Sequence, residues 1–112
     1  MGLDCFWKLP EGSNDPEFYP PLRLCGGMLS AQGGGSFRGK VYAEFILKYT
    51  KFTLYSDLNP EDVRELSKRI NDLDPNEIDL NYWFDNGYSE FNDLRRMFRA
   101  YADSGASLIA WY

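Results

Sequence analysis

Apolar and polar positions along the chain follow two different periods, and the switches between them mark out the elements. In residues 2–7, Leu3, Cys5 and Trp7 share one parity, and Asp4 and Phe6 share the other. That alternation predicts a first strand. Residues 8–21 carry Pro10, Pro16, Pro20 and Pro21 among Gly12, Ser13, Asn14 and Asp15. Proline lacks the ladder N–H, so this stretch reads as a surface loop. Leu22 to Cys25 predicts a short second strand. Residues 26–35 contain five glycines and read as a mobile loop or as a place where the backbone must approach something closely.

The period then becomes helical. Ser36 is the expected N-cap of a helix over 37–50, with Phe37, Val41, Tyr42, Phe45, Ile46 and Tyr49 facing the core. Gly39 weakens its first turn by roughly 1 kcal/mol relative to Ala. Phe52 to Tyr55 is rich in strand formers. Asn59 caps a second helix, Pro60 takes its first position, and Glu61 and Asp62 meet the positive end of its dipole. Val63, Leu66, Ile70 and Leu73 form its apolar stripe, Glu65 and Arg69 pair one turn apart, and Asp74-Pro75 stops it.

Residues 77–84 alternate again. Ile78, Leu80, Tyr82 and Phe84 share one parity, and Asp79, Asn81, Trp83 and Asp85 share the other. A strand is predicted here, followed by a turn at Asp85-Asn86-Gly87. Ser89 caps a third helix over 90–102, with Phe91, Leu94, Phe98, Tyr101 and Ala102 inward. Residues 106–112 predict a last strand that ties the C-terminus into the sheet. The sum is an α+β chain of one domain, 1–112: a two-layer sandwich with a short, mostly antiparallel or mixed sheet and about three helices on one face.

Composition changes this picture in two ways. First, aromatics make up 17% of 112 residues, more than so small a core normally needs, so some are expected at an interface. Second, histidine is absent. That removes Ser-His and Cys-His pairs, imidazole bases and His-ligated zinc. Two cysteines, Cys5 and Cys25, are too few for a four-ligand thiolate site. They form one disulfide if their strands lie side by side; in a reducing compartment two buried free thiols are the default. Met1-Gly2-Leu3-Asp4 has no positive n-region, and no apolar run approaches the roughly 20 residues of a membrane span. A cytoplasmic protein without a cofactor or metal is expected.

The net charge is −5, unevenly spread. Residues 36–56 carry four cations against Glu44, and residues 57–90 carry ten acids against Arg64, Lys68 and Arg69. The acidic middle argues against nucleic acid as a partner. Arg95, Arg96 and Arg99, with Arg38 and Lys40, form either a basic patch or partners for the acids of 57–90 across the domain.

Two motif readings fail on their own chemistry. Gly34 to Lys40 fits G-x-x-x-x-G-K, but Val41 stands where a hydroxyl must hold Mg²⁺. Asp74 to Asp85 begins like a calcium loop, but Ile78 and Asp79 occupy the places of an oxygen ligand and a glycine. No nucleophile–base pair is visible, and no two carboxylates are singled out.

The opening Met1-Gly2-Leu3-Asp4, the stretch Phe37-Arg38-Gly39-Lys40-Val41-Tyr42 and the short final strand resemble small phage or prophage proteins. Those begin M-G-x-D and carry F-R-x-x-V-W; here Tyr42 replaces the Trp. The resemblance implies a genome-accessory protein of unknown activity and supplies no catalytic residue.

Two candidate sites follow. Strand geometry sends Trp83 and Phe84 to opposite faces, leaving Trp83 on the open face beside Asp79, Asp85 and Tyr88. That set predicts contact with a protein partner or a second copy, unless the proline-rich loop covers the ring. The alternative is a ligand-binding domain or an enzyme that places an anionic ligand at Gly34, Gly35 and Ser36 before the first helix, with Arg38 and Lys40 adding charge.

Overall fold

The structure is a computed structural model that describes residues 2–24, 28–31 and 34–112, with the backbone alone at 28–31 and 34. Four strands form one sheet: β1 (Asp4–Lys8), β2 (Met28–Ala31), β3 (Gly34–Phe37) and β4 (Ser107–Trp111), in the order β2-β3-β1-β4 with every neighbouring pair antiparallel. Helices α1 (Gly39–Thr50), α2 (Pro60–Asn71) and α4 (Gly87–Asp103) follow the β2–β3 hairpin, with a single turn, α3 (Leu80–Trp83), between α2 and α4. The expected α+β class with an antiparallel sheet is what the chain adopts.

β1 reads as its alternation demands. Leu3, Cys5 and Trp7 are buried, while Asp4, Phe6 and Lys8 are exposed. The buried set meets Phe45 and Ile46 of α1, Leu66 and Ile70 of α2, and Phe91, Leu94 and Phe98 of α4 in one apolar cluster. Each such side chain adds roughly 1.5–3 kcal/mol on burial. Trp7 lies flat on Tyr101 of α4, ring centroids 4.4 Å apart and planes 4° from parallel. It thereby fixes sheet to helix through the largest rings available.

α2 obeys its local signals. Asn59 Oδ1 accepts the Asp62 N–H at 2.8 Å, Pro60 is the first helical residue, and Arg69 Nε donates to Glu65 at 3.1 Å. α1 does not. It starts at Gly39, and Arg38 occupies the N-cap without a side-chain cap bond. Ser36 is in β3, and Val41 is exposed rather than inward. α4 starts earlier than expected, at Gly87, with Asn86 rather than Ser89 at its N-cap. Gly87 has φ +56°, and a Cβ there would lie 2.7 Å from Asn81 Oδ1, so the turn requires glycine.

The predicted strand over 77–84 is absent. Asp74 Oδ1 accepts the Asn76 N–H at 2.9 Å and caps a 3₁₀ turn, Pro75–Glu77. Asp79 Oδ1 accepts the Tyr82 N–H at 3.3 Å and caps α3. Asp79, which looked like part of the polar half of a strand, is a helix cap, as Asp74 is just before it. Residues 22–24 form no strand, nor do 52–55; the proposed second strand's Cys25 lies outside the described residues. Met28–Ala31 and Gly34–Phe37 form a hairpin where a glycine-rich loop was expected. The β2 ladder along the whole of β3, joined by β1 at Ser36 and Phe37, outweighs the poor strand propensity of glycine.

The proline-rich residues 9–24 are not a free surface loop. They run along α4 as a strap pinned at several points. Arg96 Nη2 donates to Pro20 O at 2.7 Å, Asp93 Oδ2 accepts the Arg23 N–H at 3.0 Å, and the Tyr101 hydroxyl donates to Asp15 at 2.8 Å.

Candidate interaction surface

The sheet has one buried and one open face. Opposite residues of antiparallel strands share a face, and β1 pairs with β4 as Asp4↔Trp111, Phe6↔Ile109 and Lys8↔Ser107. These six positions therefore form the open side. Phe6 is 38% exposed and Trp111 68%, and the two rings meet edge to face at 6.1 Å. Ile109, opposite Phe6 in the register, is half-buried. Arg38 and Asp4 approach to 4.0 Å at one margin, and Lys8 lies at the other end of β1. An apolar centre is thus flanked by charges of both signs.

β4 is an edge strand, yet its edge is closed. Leu58 and Leu108 exchange N–H···O bonds of 2.8 and 2.9 Å, and the Ala110 N–H donates to Asp57 Oδ1 at 2.9 Å. Three successive residues, Asp57, Leu58 and Asn59, cap first the sheet edge and then α2. A partner strand has few donors left to pair with here, so contact with this side of the sheet must use the face.

The sequence-predicted interaction set is dispersed. Trp83 turns towards α1: its ring lies 5.6 Å from Phe45 and 6.1 Å from Tyr49, with Lys48 Nζ 5.6 Å from its centroid. Asp79 is a helix cap. Tyr88 is exposed and sits against Arg95 of α4, and Asp85 is exposed in the turn before that helix. Phe84 is buried among Tyr42, Phe45 and Phe91. Tyr82, expected inward, is 75% exposed. Glu90, counted with the acidic surface, is buried and accepts hydrogen bonds from the Tyr42 hydroxyl at 2.6 Å and the Asn86 N–H at 3.1 Å.

The expected anion cradle is not assembled either. Gly34, Gly35 and Ser36 lie within β3, all three paired with β2 and Ser36 also with β1. At the start of α1, the Lys40 N–H is taken by Leu3 O at 3.1 Å and the Val41 N–H by Arg38 O at 3.3 Å. Arg38 turns to Asp4. The basic patch is likewise divided: Arg96 binds Asp93 at 2.8 Å within α4, and Arg95 stacks 4.6 Å over Phe91. Among the described residues, no three His, Cys, Asp or Glu side chains are grouped to hold a metal ion, and no helix is long and apolar enough to cross a membrane.

Cys5 is a free, buried thiol whose Sγ donates to Leu54 O at 3.8 Å. Burial, and secondly the charge of Asp4, push it up to about 12 from its ordinary 9.0. A thiol so held is unreactive as a nucleophile. Its proposed partner Cys25 lies outside the described residues.

Phe6 and Trp111 escaped the sequence reading. The alternation of residues 2–7 already placed Phe6 opposite the core, but only the β1–β4 register brings Trp111 beside it. No protein-family model matches the chain, and neither a curated protein nor a solved structure matches it.

Proposed function

We propose that the protein is an interaction module of the cytoplasm that works by protein–protein contact through the open sheet face, with a second copy of the chain as its partner. The observation that supports this most is the pair Phe6 and Trp111, exposed and in edge-to-face contact on a sheet side whose neighbouring edge is hydrogen-bonded shut. Exposed aromatic pairs are the side chains that contribute most at interfaces. The charges favour a copy over a one-signed partner. Asp4 with Arg38 at one margin and Lys8 at the other end of β1 let a two-fold axis place the acid of one copy near Lys8 of the other. Resemblance to small phage proteins accords with a module that supplies contact rather than chemistry.

Size sets the strength. Four strands of four or five residues, spaced about 4.8 Å apart with about 3.4 Å per residue, span roughly 300 Å² in projection. A standard interface buries about 800 Å² per partner. The contact is therefore weak and reversible, not an obligate dimer. Diluting ¹⁵N-labelled protein tests it. Amide shifts of Phe6, Ile109 and Trp111 should move with concentration while those of α2 stay fixed. Shifts confined to α3, around Trp83, would transfer the contact there and refute the sheet-face assignment.

A further inference from the structure

We propose a second, independent site: the cleft beneath the proline-rich strap receives an arginine side chain from a partner protein. The cleft encloses about 630 Å³ between the strap, β3 and α4 and shares no residue with the open sheet face. That volume lies within the range of small-ligand sites. Its walls include Phe18, Pro21 and Tyr101, and its lip carries Asp15 and Glu17.

Three properties select the occupant. The first is unbalanced charge. Asp4, Glu65 and Asp93 have arginine partners, but among the described residues neither Asp15 nor Glu17 is in an ion pair. Two uncompensated carboxylates on a chain of net charge −5 draw a cation.

The second is positioning. The buried Tyr101 hydroxyl donates to Asp15 Oδ1 at 2.8 Å and itself accepts the Gly35 N–H. The carboxylate is held from behind by a ring that is clamped on Trp7. Arg96 and Asp93 hold the strap, so the cleft exists before anything binds and little ordering cost remains.

The third is shape. Phe18, half-buried and 6.1 Å from the buried Tyr101 ring, offers a ring beside the carboxylates. A guanidinium stacks on such a ring and binds a carboxylate with two parallel N–H groups; an ammonium does neither as well. A side chain within a polypeptide brings the cation alone, whereas free arginine also brings a carboxylate towards Asp15 and Glu17. That difference assigns the site to a partner protein.

The test is a titration of ¹⁵N-labelled protein with N-acetyl-arginine methylamide, read at the Gly35 amide and the Trp7 indole. Saturable shifts at both are expected. The neutral citrulline counterpart should bind about tenfold more weakly, and Glu17→Gln should weaken the arginine probe about threefold to fivefold, as loss of one exposed charge pair implies. Asp15→Asn should do the same. Because it also touches Tyr101, Glu17→Gln, whose side chain makes no described hydrogen bond, is the decisive variant. Equal binding of the arginine and citrulline probes, or no shift at Gly35, would overturn the site. Tighter binding of free L-arginine than of the blocked probe would overturn the assignment to a partner protein.

Discussion

Gly39 faces the Cys5 thiol so closely that a Cβ at position 39 would lie 2.5 Å from Cys5 Sγ and 3.2 Å from Leu3 Cδ2. This contact sets how near α1 can approach β1, and it explains a glycine in the first turn of a helix. Helix propensity alone favours Gly39→Ala by up to about 1 kcal/mol. Overpacking costs about 1–3 kcal/mol. The packing effect wins, so Gly39→Ala should destabilise the protein by about 1–2 kcal/mol in a denaturant melt. Adding Cys5→Ala should recover part of that loss; a stabilised single variant would show that β1 and α1 do not meet here.

The thiol itself gives a pH prediction. In the unfolded chain Cys5 loses its proton near its ordinary 9.0, while in the fold burial holds it protonated to about 12. Between those values the unfolded state releases a proton that the folded state keeps. The contribution of Cys5 is therefore complete below the lower value and falls as pH rises through the window. In a Cys25→Ser variant, where Cys5 is the sole thiol, a disulfide reagent at neutral pH should react only as fast as the protein unfolds. Labelling at the rate of a free thiol in the native protein would contradict this environment.

Trp83 and Phe84 rank as their burial dictates. Phe84→Ala removes a ring packed on three others and should cost about 3–5 kcal/mol. Trp83 is half-buried over Phe45, Tyr49 and Lys48, so Trp83→Ala should cost less, about 1–1.5 kcal/mol. Parallel urea melts decide it, and a larger loss at Trp83 would mean that α3 carries more of the core than its exposure implies.

That pair also shows what the sequence could and could not reveal. Strand parity put Phe84 inward and Trp83 on an open sheet face; Phe84 is buried, but Trp83 packs against α1 and the segment is a helical turn. The alternation was genuine, but Asp74 and Asp79 spend their carboxylates on backbone N–H groups, and such local caps compete directly with a strand ladder. α2 was fully legible because its cap, first-turn proline and apolar stripe are all local. β3 was not, because Gly34 and Gly35 are held in a strand by pairing with Ala31 and Ser30 of β2, while β1 pairs only with Ser36 and Phe37. An open, aromatic sheet face followed from the layer architecture. Its residues, Phe6 and Trp111, depended on a register between opposite ends of the chain.

Asp57 guards the sheet edge. Asp57→Ala removes the partner of the Ala110 N–H and should cost about 1 kcal/mol. It also opens part of β4 to strand pairing, so light scattering should show irreversible aggregation at concentrations where the wild type stays dispersed. Unchanged scattering would mean that Leu58 alone closes the edge.

Sedimentation equilibrium tests the open sheet face most directly, with wild type and Trp111→Ser side by side over about 10 µM to 1 mM, the range expected of a small interface. Wild type should begin at 13.0 kDa and rise towards a dimer. Trp111→Ser should remain monomeric with an unchanged melting temperature, because the ring it removes is exposed. A wild type that stays monomeric throughout, or a variant that associates as strongly as wild type, would contradict the account.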